Sequence, residues 1–177
     1  VEPVEINAGE FYLRQLRADD RLDDRPALVE GFADAQFRRF TPTLRLDDLD
    51  QAAAYVDQRA MEWAQDRRYS WAVAEPTTGA LLGEVGLKSV DLDRGYAEAS
   101  IWVHPAARGR GVAVTSLNAA LRFGFGALAL DEVHYVHAEE NHASRAVAQR
   151  CGFRFAEYVP LHDPPGRDLR WVRTAAD

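Results

Sequence analysis

A single cysteine, Cys151, stands among 177 residues, so no disulfide can close within the chain. That usage fits a reducing compartment, and the expected location is cytoplasmic. No apolar run approaches the length of a bilayer span, so a membrane is not an expected partner. The opening VEPVEINAGE lacks the basic start and apolar centre of a secretion signal. A chain that starts at Val1 leaves its native beginning open. Basic charge is in deficit, with 21 Lys and Arg against 28 Asp and Glu, a net charge of −7. Nonspecific nucleic-acid binding needs the opposite balance, so nucleic acid is excluded as an expected partner. The acidity serves solubility first and could also steer cationic amines or basic peptides.

Several chemistries are missing as well. There is no HExxH and no paired-cysteine zinc pattern, so no metal site is expected. His134 and His137 are three apart on a predicted strand and would face opposite sides. His104, His142 and His162 are scattered. No G-x-S-x-G elbow offers a serine nucleophile, and no Gly-Lys-Ser/Thr marks a nucleotide triphosphatase. Cys151, beside Gly152, reads as a small buried hydrophobe. Repeats, low-complexity tracts and linkers are also lacking, so residues 1–177 are read as one domain. That length can bury a core without staples.

What is present centres on Tyr96 to Gly126. Ala97, Ala99, Ile101 and Val103 alternate as a strand, which Pro105 ends because proline cannot donate to a ladder. Arg108-Gly109-Arg110-Gly111 follows, and then Val114, Leu117, Leu121, Phe125 and Leu128 keep helical spacing. The first turn of a helix leaves amides without partners and carries partial positive charge. An anion, phosphate above all, is the natural occupant. Glycine lets it approach the backbone, and arginine adds forked positive charge. Each charge-assisted hydrogen bond contributes roughly 1.5–3 kcal/mol, so several could hold a diphosphate. The alternative is a glycine-softened turn with solvated arginines.

The flanking chain reads as alternating strands and helices. Phe11 to Arg17 is predicted as an edge strand, and Asp19-Asp20 as the start of a helix running to about Ala33. Thr41-Pro42 breaks the pattern, and an amphipathic helix spans Asp47 to about Asp66. Tyr69 to Glu75, Leu81 to about Leu92 and the central strand form a predicted antiparallel meander, bent at Gly83 and Gly86. Val133 to Ala138 is a strand, His142 to Cys151 a short helix stopped by Gly152, and Phe153 to about Val159 a strand. Pro164-Pro165-Gly166 is a turn before a last strand, Asp168 to Thr174.

Arg108-x-x-Gly111-x-Ala113 resembles the acetyl-CoA pyrophosphate loop of the GNAT superfamily of N-acetyltransferases, preceded by that family's approach Ile101-x-Val103-x-Pro105. Asn141-x-x-Ser144 and Cys151-Gly152-Phe153 resemble the RimJ/RimL-like branch, which acetylates protein N-termini and related amines. The resemblance runs from about Phe11 to Thr174. It implies an α/β fold: a mixed, mostly antiparallel, centrally splayed sheet with helices on both faces. It implies acetyl-CoA as cosubstrate, held at its pyrophosphate by Arg108, Gly109, Arg110, Gly111, Val112 and Ala113. The backbone of Ile101, Trp102 and Val103 would meet the cofactor arm at the splay, and the Trp102 side chain would form cleft wall.

On the same resemblance, Asn141 contacts the pantetheine arm and Ser144 protonates the leaving sulfur. A capping role for this pair is the competing reading. Many relatives use a tyrosine four residues before the Gly-Phe glycine, where this chain has Ala148. The branch's acidic residue lands on Asp163, shorter than the usual glutamate, and Glu98 is a second candidate base. The expected reaction is direct attack by a primary amine in a ternary complex. The acceptor is a protein N-terminal amine, or alternatively a small cationic amine such as a polyamine or aminoglycoside. A non-catalytic acyl-CoA-binding module is the reading outside enzymes, and both a monomer and a homodimer stay open.

Overall fold

The computed structural model describes residues 1–161 and 166–177. Among these described residues, eight strands form one sheet in the order β1-β2-β3-β4-β5-β6-β8-β7. They are β1 (Ile6–Asn7), β2 (Tyr12–Arg14), β3 (Tyr69–Ala74), β4 (Leu81–Asp91), β5 (Tyr96–Val103), β6 (Glu132–Ala138), β7 (Arg154–Leu161) and β8 (Gly166–Thr174). Every pairing is antiparallel except β5 with β6. That parallel pair needs a crossover, and α4 (Val112–Gly126) supplies it.

Strand alternation sorts side chains onto two cores. Tyr69, Trp71, Val73, Val85 and Leu87 join Leu117, Ala120 and Leu121 of α4 in one buried cluster. Ala72 faces the other way, beneath α1 (Arg25–Phe32) and α3 (Leu49–Ala64), with Leu28, Phe32, Tyr55 and Val56. A sheet covered on both faces explains why all of β3 is buried despite its period of two. The remaining helices are α2 (Ala35–Phe40) and α5 (His142–Arg150). The mixed, mostly antiparallel α/β architecture therefore agrees with the sequence reading.

Four local expectations are corrected. The Phe11 region does not form the edge: β1 pairs outside β2, because the chain reverses through Gly9 at φ 78°. Asp19 does not start a helix. Its carboxylate accepts from the Arg21 and Leu22 amides and pairs with Arg17, a turn made from its own side chain. The helix begins at Arg25, with proline in its first turn, where a missing N–H costs nothing. That helix also does not stand alone: Asp34 accepts from the Phe37 amide and caps a second one, α2. Finally, Gly86 pairs regularly with Ser70 and Ser100; β4 deviates opposite Val73–Ala74, beside Gly83, and again between Lys88 and Asp91, where Ser89 has φ 50°. The proposed Pro164-Pro165-Gly166 turn falls largely outside the described residues.

Candidate active site

The two parallel strands separate midway. Pairing runs from Tyr96–Glu132 to Ala99–Tyr135 and stops, although β5 continues to Val103 and β6 to Ala138. The gap opens into a cleft of about 810 Å³, whose walls include Ser100 to Val103, Val136 to Ala138, Gly109, Gly111 to Val114, Asn141 and Ser144. The expected central splay is present. On the β4 side, the His104 amide donates to Leu82 O at 2.8 Å, which fixes the alternation along β5. His104, Trp102 and Ser100 direct their backbone groups to β4. Ile101 and Val103 direct theirs toward the opening. The backbone of Trp102 is therefore consumed by the sheet, while its indole is cleft wall, packed edge-on against Phe32 and Phe37.

At the cleft's other wall, α4 begins. A 3₁₀ turn, Pro105–Ala107, leads to Gly109 at φ 77° and Gly111 at φ 76°. Both glycines hold the left-handed conformation that side chains resist. Gly111 is the N-cap residue, with no side chain to satisfy the first turn. Among the described residues, the amides of Gly109 through Val114 donate to no protein acceptor. Of these unpaired donors at the positive end of a 15-residue helix, those of Gly109 and Gly111 to Val114 belong to residues that line the cleft. The arginines are differently placed. Arg108 lines the cleft and pairs with Asp34, the cap of α2. Arg110 turns to Glu75 at 2.8 Å and over the Phe11 ring, so at the cleft it can contribute its amide alone.

Asn141 and Ser144 lie on the β6 side. Asn141 Oδ1 accepts from the Ser144 amide at 3.1 Å and caps α5. The capping reading is thus present in the geometry; it uses the Ser144 amide and leaves the hydroxyl out of the cap, on a residue that lines the cleft. Beside that hydroxyl stands the phenol of Tyr135, in the last paired position of β6. Burial pushes Tyr135 up to about 12, with the neighbouring Ser144 working in the opposite direction. Sequence reasoning missed this residue because Tyr135 falls on the apolar parity of its strand and reads as core. Ala148, where many relatives carry tyrosine, is fully buried. His137 also lines the cleft; it accepts from Trp171 Nε1 at 2.9 Å and donates from Nδ1 to Ala138 O at 2.8 Å. Burial holds its pKa below the ordinary value. Cys151 is buried and its thiol is pushed up to about 11 by burial, as suits a packing residue.

The third wall comes from the helices over the sheet: Phe37 and Phe40 of α2, Tyr55 and Arg59 of α3. Beneath them Glu84, 2 % exposed, accepts from Tyr55 and from Arg59 Nε at 3.2 Å. Burial and the adjacent Glu84 raise Tyr55 well above the usual phenol range. Sequence reasoning missed Glu84; an acidic residue in an otherwise apolar strand core was the available signal. Glu98 lies on the same sheet face but pairs with Lys88 at 3.3 Å, and Lys88 is the one that lines the cleft. Asp163 lies outside the described residues.

Residues 11–154 match the family model described as the acetyltransferase (GNAT) domain. The chain belongs to the GNAT acetyltransferase family. Bacillus subtilis YoaA, an uncharacterized N-acetyltransferase, is 22% identical over 149 residues, covering 84% of this chain and 82% of YoaA. Mycobacterium smegmatis RimJ, solved in complex with CoA-disulfide, superposes with a TM-score of 0.85 at 21% identity, covering 98% of this chain and 88% of RimJ. Spermidine N-acetyltransferase from Vibrio cholerae, solved with CoA and spermine, gives 0.79 at 18% identity, covering 94% and 96% of the two chains. At such identities these GNAT structures share the fold. No described helix is long and apolar enough to cross a membrane.

Proposed function

We propose that this GNAT protein transfers an acetyl group from acetyl-CoA to a primary amine, with a protein N-terminal amine as the acceptor. One observation carries the reading. The splay between β5 and β6 opens into the same cleft as the unpaired amides at the start of α4. A ligand with a diphosphate at one end and an amide-bearing arm at the other fits both features. The amides of Gly109 to Ala113 and the Arg108 guanidinium would hold the diphosphate. The freed backbone groups of Ile101 and Val103 would pair with the arm, and Asn141 would add a side-chain contact.

Acetyl-CoA supplies an acyl group activated as a thioester. Among the described residues, no activated nucleophile lines the cleft, which supports direct attack by the amine. Ser144 would donate its proton to the departing sulfur, with Tyr135 beside it to orient or replenish that proton. The amine must lose a proton before it attacks. Glu98 and Asp163 are the proposed recipients, Glu98 acting after exchange of its partner Lys88.

Free-thiol release with acetyl-CoA over a panel of peptide N-termini and small amines tests the proposal. Turnover on N-terminal amines supports it. Cofactor binding without turnover on any amine would instead favour a non-catalytic acyl-CoA-binding module.

A further inference from the structure

The end of the cleft away from α4 is cationic, although the whole chain is acidic. Its described lining residues there include Arg59, Arg68 and Lys88, against one carboxylate, Glu84. Most of this charge is already matched. Arg59 has Glu84 and Glu62, both at 3.2 Å, and Lys88 has Glu98 at 3.3 Å. Arg68 differs. Its Nε donates to Ser70 Oγ at 2.7 Å and its Nη2 to Ser100 Oγ at 3.3 Å. Among the described residues, no carboxylate oxygen comes within 4.0 Å of it.

The seat of this guanidinium is built into the sheet. Ser70, Gly86 and Ser100 are register partners across β3, β4 and β5. A Cβ on Gly86 would stand 2.9 Å from Ser70 Oγ and 3.4 Å from Arg68 Nε. The missing side chain at Gly86 therefore leaves a slot, with a hydroxyl at each end and the guanidinium across it. Two hydroxyls fix the orientation of the fork without neutralising it, since a hydroxyl brings no countercharge. Ser100 is also the first β5 residue beyond the last pair with β6, so the fork is held at the point where the strands separate. A guanidinium presents five donors, and two hydroxyls leave others for a ligand.

We propose that Arg68 is a specificity residue that selects acceptors bearing a carboxylate a few bonds from the reacting amine. The inference rests on the transferase reading of the cleft and names its substrate class. A peptide N-terminus with an acidic side chain and a free acidic amino acid share this chemistry. A polyamine does not: its cationic chain would meet Arg68 and Lys88, and like charges at close range exclude it.

Equilibrium binding to the CoA-saturated protein tests this, using the amidated tripeptide Asp-Ala-Ala, its Asn-Ala-Ala counterpart, free aspartate and spermidine. The acidic tripeptide is expected to bind at least tenfold tighter than the Asn form, a difference of about 1.4 kcal/mol. In Arg68→Gln the preference disappears, and in turnover assays the loss falls on KM with kcat little changed. Arg68→Lys, which keeps the charge and loses the fork, retains part of it. Free aspartate binding as tightly as the tripeptide supports the inference and assigns a small-molecule source. Equal binding of the Asp and Asn tripeptides, tighter binding of spermidine, or a preference that survives in folded Arg68→Gln overturns it. The wild-type comparison decides even where a variant fails to fold. Acid preference without acetyl transfer to any amine would refute the transferase proposal alone; transfer without acid preference would refute this inference alone.

Discussion

Single side chains in this protein do separable jobs, and two of them can be isolated by substitution. Ser144 lines the cleft, while its amide, not its hydroxyl, is committed to the Asn141 cap. Ser144→Ala should therefore keep α5 and cofactor affinity nearly intact and lower kcat by about 10²-fold, the scale of a lost general acid. Parallel calorimetry and steady-state kinetics check it; a large affinity loss with unchanged turnover would make Ser144 a binding residue. Gly83 has no such latitude. A Cβ there would lie 2.4 Å from the Trp102 carbonyl oxygen, a backbone atom that cannot move without disturbing the β4–β5 ladder. Gly83→Ala should cost about 1–3 kcal/mol or more, read by denaturant unfolding. A variant as stable as the parent would show that the strands can part at Trp102. Residue-scale chemistry was only partly legible in the sequence. Gly111, Asn141 and Ser144 sit in short local patterns, and the structure brings all three to one cleft. Arg68 and Glu84 carry no local pattern, because their setting is made by partners from other strands and from α3.

Elements hold those residues in place, and the N-terminal ones depend on a buried ion pair. Arg14 of β2 makes a bidentate contact with Asp24, both distances 2.8 Å, and also donates to Gly79 O at 2.8 Å. Asp24 further accepts from the Arg17 amide at 2.8 Å and stands directly before α1, its side chain unused for capping. The Arg14–Asp24 pair thus ties β2, the β3–β4 turn and the start of α1, the helix that leads to the cleft wall on α2. Asp24→Ala would leave a buried guanidinium unpaired, and thermal or denaturant unfolding should show a loss of about 3–5 kcal/mol. A loss below about 1 kcal/mol would mean that water reaches Arg14. This pair also explains why α1 was misplaced from the sequence. Asp19, Asp20, Asp23 and Asp24 all look like caps, and only long-range pairing with Arg14 distinguishes the last. In contrast, α3, α4 and α5 were legible, since each combines an apolar stripe with a local start or stop signal.

On the scale of the whole molecule, the described strands form one continuous sheet that parts between β5 and β6, and its central strands β3 and β4 are covered on both faces. The meander β3-β4-β5 and the crossover through α4 could be read from periodicity. The position of the parting could not, because Ile101 and Val103 have the same side-chain parity as the paired Ala97 and Ala99. Net charge was equally uninformative about the site: a chain of −7 presents Arg59, Arg68 and Lys88 to its own cleft. His137 at that cleft is expected to make the fold sensitive to acid. Burial lowers its pKa; the Ala138 carbonyl opposes this, Arg145 adds to it, and Asp168 opposes it. Because the folded value lies below the unfolded one of about 6.5, stability is fully present above pH 6.5 and falls as pH drops toward the folded value. Thermal midpoints between pH 7.5 and 5.5 should decline in the parent and decline less in His137→Gln. Parallel pH profiles would show that the imidazole is as easily charged folded as unfolded.

Cofactor binding as proposed requires the amides of Gly109 to Ala113 to hold a diphosphate. Calorimetry of the protein with acetyl-CoA and with S-acetylpantetheine, which keeps the thioester arm and lacks the diphosphate, tests that most directly. Saturable one-site binding of acetyl-CoA, at least 100-fold tighter than that of S-acetylpantetheine, is the predicted result. Equal affinity for the two, or no heat with acetyl-CoA, would contradict it.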